Sequence, residues 1–491
     1  MRFINKSVFI LVFLLVLSMI LYKLIFVPIT HDEVSTVLNY MDFSYWEIIM
    51  YPDFVPNNHI LNTIFTKLFY QIFGMDVWAV RLQSLIAYFI YSYAVYRVLK
   101  TFFSKGSIFV ISGIALFFTN PYLLDFFGLC RGYGLAAALV TLSSSYMITG
   151  FIKNKDSSIW KAVIFAVLAS YANFTVLVYW GAITSIAGVY FLLKYKDAKS
   201  ILLKRILILA IISILYLLLI FVPIKKITSG DQFRFWSSNG FFKETILTSI
   251  DNWRYGDSLL EGVDSSFIGY FTIFLFVLGI VYISMLIVLK KGLKEIFQNK
   301  IVVSFMIFVA TIFISQVQIL LLRTPDLDGR IALFLYPIFI IFLVSMIAKL
   351  EVIKYKIPKY VIAIIIPAFL FFHLANTYNP KSVREWWYDE NTLEIIDYLK
   401  ASNPGKEVTL KTYWIFFNSF DFYDRTGRIQ GVKLLPNSDI DPNSDADYYY
   451  VEEGQIKQLE ARYKRMKKIS WGRWLLKRKG LDNTKSEINR D

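Results

Sequence analysis

The chain has 491 residues, of which 56% are hydrophobic and 18% aromatic. A water-soluble protein of that composition would leave large apolar patches against water, so a soluble globule is excluded. The formal net charge is +15, yet the basic residues sit mostly in short segments between apolar stretches, a pattern of membrane topology and not of nucleic-acid binding. With a single cysteine, Cys130, no intrachain disulfide can form.

From the N-terminus, the basic tail MRFINK precedes an apolar stretch over 7–27. That stretch stays bulky to its end and has no small-residue cleavage site, so it reads as a retained first span and not as a signal peptide. Ten more stretches have the length and apolarity of spans: 78–96, 108–124, 133–151, 162–174, 176–193, 206–223, 267–289, 301–322, 331–348 and 359–376. Between 162 and 193 the polar break Ser170-Tyr171-Ala172-Asn173 predicts a tight hairpin between two helices. The expected fold class is a polytopic α-helical membrane protein with about eleven transmembrane helices.

Charge orients these spans. Alternate loops, beginning with the N-terminal tail, hold about 21 Lys and Arg, against roughly nine in the other set. The basic set belongs in the cytoplasm, which places 28–77, 125–132, 224–266 and 323–330 outside it. The segment from about 377 follows an odd number of spans and is expected outside as well. Its texture changes: NTLEIIDYLK has helical apolar spacing, EVTLKTYWIFF and DADYYYVEE read as strands, and NPG and LPNSD supply turns. The expected organisation is a membrane domain over 1–376 with a long external loop 28–77, then a small extracytoplasmic α/β domain over 377–491. Near its end RYKRMKKISWGRWLLKRK is basic and dotted with Trp, suited to anionic headgroups or to an ordinary solvated surface.

The first external loop carries the most chemistry. It opens on ITHDEVSTVLNY, so His31, Asp32 and Glu33 emerge directly after the first span. Adjacent carboxylates there have two readings: a helix cap, or a general base with a neighbour that helps orient it or hold a divalent cation. The same loop carries PNNHILN with Asn58 and His59. The second external loop, NPYLLDFFGLCRGYG, puts Asp125 and Arg131 at the outer boundary of two spans. Charges at that depth are costly, so they either pair with each other or serve a site, for which the forked donors of Arg131 suit a phosphate.

The order of these features resembles the GT-C membrane glycosyltransferases that use polyprenyl-phosphate sugars, in the branch of protein O-mannosyltransferases and lipid A aminoarabinose transferase. The resemblance rests on Asp32-Glu33 heading a long loop after span one, NNHILN in that loop, and WAVRLQS opening span two. It continues with Arg131-Gly132-Tyr133-Gly134-Leu135, the external RTPDLDGRIALFLYP, and a terminal external domain. The longer aromatic-acidic pattern that some relatives carry around the pair is absent, so no one subfamily is implied.

By that resemblance Asp32 matches the catalytic aspartate that activates the acceptor, Glu33 its acidic neighbour and Asp125 a second acidic residue of the site. Arg131 and Arg330 become candidates for the donor's phosphate, with Asn58, His59 and Tyr133 in the substrate-binding set. The implied partners are a polyprenyl-phosphate-linked sugar and a glycan, lipid or protein acceptor. A divalent cation is the one cofactor the resemblance allows, with no ligand set specified. A secondary transporter would instead call for internal repeats and broken helices at mid-membrane, and the sequence has no half-to-half similarity. An envelope polysaccharide polymerase or ligase would not require an Asp-Glu pair directly after span one. A membrane O-acyltransferase would use a histidine among the spans, where only His373 comes close.

Overall fold

The computed structural model describes residues 3–230, 240–257, 260–352, 356–436 and 440–481. It is a helical membrane protein with a small sheet domain near its C-terminus. Eight helices among the described residues are long and apolar enough to cross a bilayer: Asn5–Phe26, Gly132–Ile152, Phe174–Tyr195, Lys199–Ser229, Ser265–Val288, Lys300–Leu322, Leu335–Val352 and Tyr360–Thr377. Helices also occupy the other three expected stretches, but they are shorter or more polar.

The stretch expected at 78–96 is displaced. A short turn, Val77–Val80, ends at Arg81, and the long helix runs from Leu82 to Phe102, carrying Gln83, Ser84, Arg97 and Lys100. The one at 108–124 stops early. Phe109–Phe118 gives way to Thr119-Asn120-Pro121, where the Asn120 side chain caps the next short helix, Pro121–Asp125, by accepting from the Leu123 amide. The hairpin expected within 162–193 is present: Asp156–Ala172 ends at Asn173, whose side chain accepts from the Thr175 amide before Leu177–Tyr195 begins.

Two compact units divide the chain. The first joins Met1–Tyr22, Phe43–Phe69 and Arg81–Tyr378. Its central helix, Gly132–Ile152, is almost wholly buried because GLAAALVTLSSS supplies small side chains that let neighbours approach. Ser143 donates to the Ala162 carbonyl at 2.7 Å, and the Ser144 and Tyr179 hydroxyls meet at 2.8 Å, which ties this helix to the two that follow. By contrast Ser265–Val288 turns Phe267, Phe271, Phe274 and Ile280 outward, the face that lipid would cover.

The second unit joins Lys23–Asp42, Tyr70–Val80 and Asn379–Asp491. Compactness thus groups the segment around Asp32 with residues beyond 377, whereas the sequence reading drew its boundary at 376. Five strands, β1 Val408–Thr412, β2 Val432–Leu434, β3 Tyr448–Glu452, β4 Tyr463–Ile469 and β5 Arg473–Arg478, form one sheet in the order β2-β1-β3-β5-β4. β1 runs parallel to β2 and β3, and β5 antiparallel to β3 and β4. The expected helix over NTLEIIDYLK is Thr392–Ser402. EVTLKTYWIFF is strand only in its first half. From Trp414 the chain turns into the helix Trp414–Arg425, because Phe416, Phe420 and Tyr423 recur at helical spacing and bury one face. The LPNSD turn lies mostly outside the described residues. Some of the charge of the basic stretch is used inside the unit: Lys467 pairs with Glu394 at 2.8 Å, and Arg465 lies 5.1 Å over the Trp474 ring.

Candidate functional site

Two groups of the expected residues stand out, one in each unit. In the second unit the chain leaves the first span and starts the helix His31–Tyr40 at a capping box. The buried Glu33 carboxylate accepts from the Thr30 amide at 2.9 Å and from the Thr30 hydroxyl at 3.0 Å. Glu33 thus caps the helix that it opens. Asp32, one residue earlier, is partly exposed. The two neighbours have separate environments, as two carboxylates with separate roles require.

The turn that carries Asp32 is fastened on several sides. The His31 amide donates to Asp389 Oδ2 at 2.8 Å. The Asn418 amide group lies 3.1 Å from His31 Nε2, and the Ile415 carbonyl lies 3.1 Å from Nδ1. A carbonyl can only accept, so Nδ1–H donates to Ile415, and the Asn418 amide group holds the other ring nitrogen. Just upstream, the Ile29 amide donates to the Tyr423 hydroxyl at 3.1 Å and the Ser419 hydroxyl donates to the Ile29 carbonyl at 2.8 Å. Asp389 itself is 2% exposed, and its Oδ1 has no hydrogen-bond partner. Burial pushes its carboxyl well above the usual carboxylate range, helped by the Asp32 and Glu33 charges; the His31 amide and the Arg473 guanidinium act in the opposite sense. Arg473 is in turn held by Glu390 at 3.0 Å.

In the first unit His59, Arg131 and Tyr133 come together with Asn58 beside His59 in the chain, and the Arg330 charge acts on His59. Arg131 precedes the central helix and reaches the Asn57 side-chain oxygen at 2.5 Å, with its guanidinium 5.9 Å from the Tyr133 ring. His59 packs edge-on against Tyr133 at 4.9 Å. Burial, reinforced by the Arg131 and Arg330 charges, holds its imidazole well below the ordinary value, so His59 is neutral. Gly132 is required between them: a Cβ there would stand 2.7 Å from the His59 Cβ and collide with the Ala172 carbonyl oxygen. Asp125, 2% exposed at the end of its short helix, accepts from the Tyr255 hydroxyl at 2.5 Å. Tyr255 sits at a left-handed φ of 56°. Its loop is anchored two residues on, where buried Asp257 meets His373 Nδ1 at 2.7 Å. His373, read as incidental in sequence, thus holds a loop.

Sequence reading did not single out Asp389, Asn418 or Tyr255. Each acts through a partner distant in the chain, and no local pattern announces such a partner. Among the described residues no three His, Cys, Asp or Glu side chains gather as a metal ion would need.

No protein-family model and no curated protein matches the chain. Similar solved structures include ArnT from Cupriavidus metallidurans, at 10% identity over 96% of this chain and 97% of that one, with a TM-score of 0.40. The same protein bound to undecaprenyl phosphate is 11% identical over the same shares, with a TM-score of 0.38. The archaeal oligosaccharyltransferase AglB from Archaeoglobus fulgidus, in complex with an inhibitory peptide and a dolichol-phosphate, is 10% identical over 93% of this chain and 70% of that one, with a TM-score of 0.41. The chain's own residues, and not these likenesses, carry the chemistry.

Proposed function

We propose that this protein is a glycosyltransferase that moves a sugar from a polyprenyl-phosphate donor to an acceptor on the extracytoplasmic face of the membrane. The observation that carries the reading is the division of labour between adjacent carboxylates: Glu33 is buried in a helix cap, while Asp32 is partly exposed on the turn that the cap and Asp389 make rigid. A general base has to be held in this way and still be reachable. Asp32 takes the proton from the acceptor's nucleophile, which attacks the anomeric carbon from the face opposite the phosphate. The bond from that carbon to the phosphate oxygen breaks, and the electron pair leaves with polyprenyl phosphate, inverting the centre. For the departing phosphate, the resemblance in motif order offers Arg131 and Arg330, whose forked donors suit a phosphate. Tyr133 lies beside the Arg131 guanidinium and neutral His59 packs on that ring, which shapes the position without adding charge.

The lipid carrier keeps the donor at the bilayer, and the loop charges put the first and second external loops outside the cytoplasm. The Asp32 turn and Arg131 lie in those loops. The test is transfer of radiolabelled sugar in membranes supplied with polyprenyl-phosphate sugars. Wild type transfers, and Asp32→Asn, normally expressed and folded, loses at least about a hundredfold in rate. An Asp32→Asn protein that transfers at the wild-type rate removes the base assignment.

A further inference from the structure

His59, Asn62, Thr63 and Thr66 fall at i, i+3, i+4 and i+7, on one face at the start of the helix Ile60–Phe73. Such a buried face is normally apolar; here each member is polar, and all four are buried. What the face looks onto is defined by its contacts. Thr66 Oγ1 lies 3.2 Å from Cys130 Sγ, His59 packs on Tyr133, and Gln83 at the start of the helix Leu82–Phe102 donates to Asn62 Oδ1 at 3.2 Å.

Those contacts leave much of the polar surface unused. His59 Nε2, Asn62 Nδ2, Thr63 Oγ1 and Gln83 Oε1 have no hydrogen-bond partner, nor do Asn57 Nδ2 and Asn58 Oδ1 in the turn just before. Each of these six residues is buried or nearly so, and burying a polar atom without a partner is expensive, so a run of them calls for a polar occupant. The atoms describe that occupant. The amide nitrogens donate, the amide oxygens accept, and the Thr63 hydroxyl does either. None of these atoms is itself charged, so they suit a neutral polar group and give a hydrocarbon chain no partner, while the nearby Arg131 and Arg330 charges suit a phosphate carried by the same molecule. A ring of hydroxyls, each both donor and acceptor, matches the set, and the Tyr133 ring beside it gives the C–H face of such a ring an apolar surface.

We propose that this face, with His59, Asn62, Thr63 and Gln83 as its reading groups, binds the sugar hydroxyls of the polyprenyl-phosphate donor; the proposal rests on the glycosyl-transfer reading above. The donor is favoured over a sugar acceptor because Arg131 and Arg330, the residues suited to its phosphate, act on His59 itself.

The test uses the full-length protein in nanodiscs, comparing wild type with Thr63→Val, which keeps the shape and removes the hydroxyl, and Gln83→Met. Three constants are measured: KM for the lipid-phosphate sugar that wild type turns over, KM for the acceptor, and inhibition by undecaprenyl phosphate without sugar. We expect the donor KM to rise about five- to tenfold in each variant, the scale of one lost hydrogen bond. Inhibition by the sugar-free lipid and the acceptor KM should stay within about twofold, since neither reports a sugar hydroxyl contact. Equal weakening of the sugar-bearing and sugar-free lipids, or an unchanged donor KM, overturns the proposal and leaves the face as a water-filled structural network. A rise confined to the acceptor KM overturns the donor assignment. If a variant is poorly folded, the stabilisation of wild type decides: sugar-bearing lipid must raise its Tm more than sugar-free lipid does, and equal shifts sink the idea. A wild type that transfers sugar while both variants keep its donor KM defeats this inference alone. A wild type that transfers nothing from any polyprenyl-phosphate sugar defeats the parent reading, and this one with it.

Discussion

Asp389 offers the sharpest perturbation, because one carboxyl both holds the Asp32 turn and lies buried among other acids. Its Oδ2 is the acceptor for the His31 amide at 2.8 Å, and burial pushes its carboxyl well above the usual carboxylate range, toward the neutral form. Asp389→Ala removes the acceptor and strands a backbone N–H, at a cost of about 1–3 kcal/mol. Asp389→Asn keeps an oxygen in the same place and reproduces the shape of the neutral acid, so it should cost less than about 1 kcal/mol near neutral pH. The pH dependence separates the two effects. A carboxyl raised in the fold binds a proton that the unfolded chain has already released, so between its unfolded and folded pKa values the native state loses up to about 1.4 kcal/mol for each pH unit gained. This contribution is present in wild type and absent in Asp389→Asn. Measured as Tm of the purified protein from about pH 5 to 8, the variant's curve should fall less steeply and gain on wild type as pH rises. Transfer by Asp389→Asn should remain near the wild-type rate at neutral pH, and transfer by Asp389→Ala should fall with its loosened turn. Parallel Tm curves for wild type and Asp389→Asn would refute the buried neutral acid. Equal damage from Ala and Asn would refute the acceptor role.

Two further outcomes follow from the same geometry. Glu33→Gln keeps an acceptor for the Thr30 amide, so its transfer rate should fall less than about tenfold, whereas Glu33→Ala should lower stability by about 0.5–2 kcal/mol through loss of the cap; a Glu33→Gln protein as inactive as Asp32→Asn would return Glu33 to the chemistry. His373→Ala leaves the buried Asp257 carboxyl without its imidazole partner and should cost about 1–3 kcal/mol, read as a lowered Tm with faster proteolysis in the loop around Tyr255, and wild-type protease resistance there would dismiss His373 as the anchor.

How much of this could be read from the sequence depends on the range of the force involved. The apolar stretches were legible because crossing a bilayer imposes length and composition locally: eight of the eleven hold helices long and apolar enough to cross, and shorter or more polar helices lie in the other three. Boundaries slipped where a few polar residues outvoted the average: Arg81 and Gln83 push the second helix toward Phe102, and Asn120-Pro121 end the third early. The hairpin at Asn173 was legible because its break is local. The strand misread at Trp414 came from treating a run of aromatics as extended, when Phe416, Phe420 and Tyr423 are spaced for a helix face.

The candidate residues divide along the same line. Glu33 sits three residues after Thr30, the spacing of a capping box, so its structural role was available in the sequence beside the chemical one. Asp389, 358 positions from His31, could not be. Its neighbours in the chain, Trp387-Tyr388 before it and Glu390 after it, suggest an ordinary surface turn, and only the packed unit makes it a buried acid. The polar face of His59, Asn62 and Thr63 lies between these cases. Its helical spacing is visible in NNHILNTIFT, but spacing alone says that the face is polar and therefore solvent-exposed. The structure reverses the second half of that inference: the face is buried and remains polar. A sequence pattern that predicts water where the fold has none marks the place where something other than bulk water must meet those atoms.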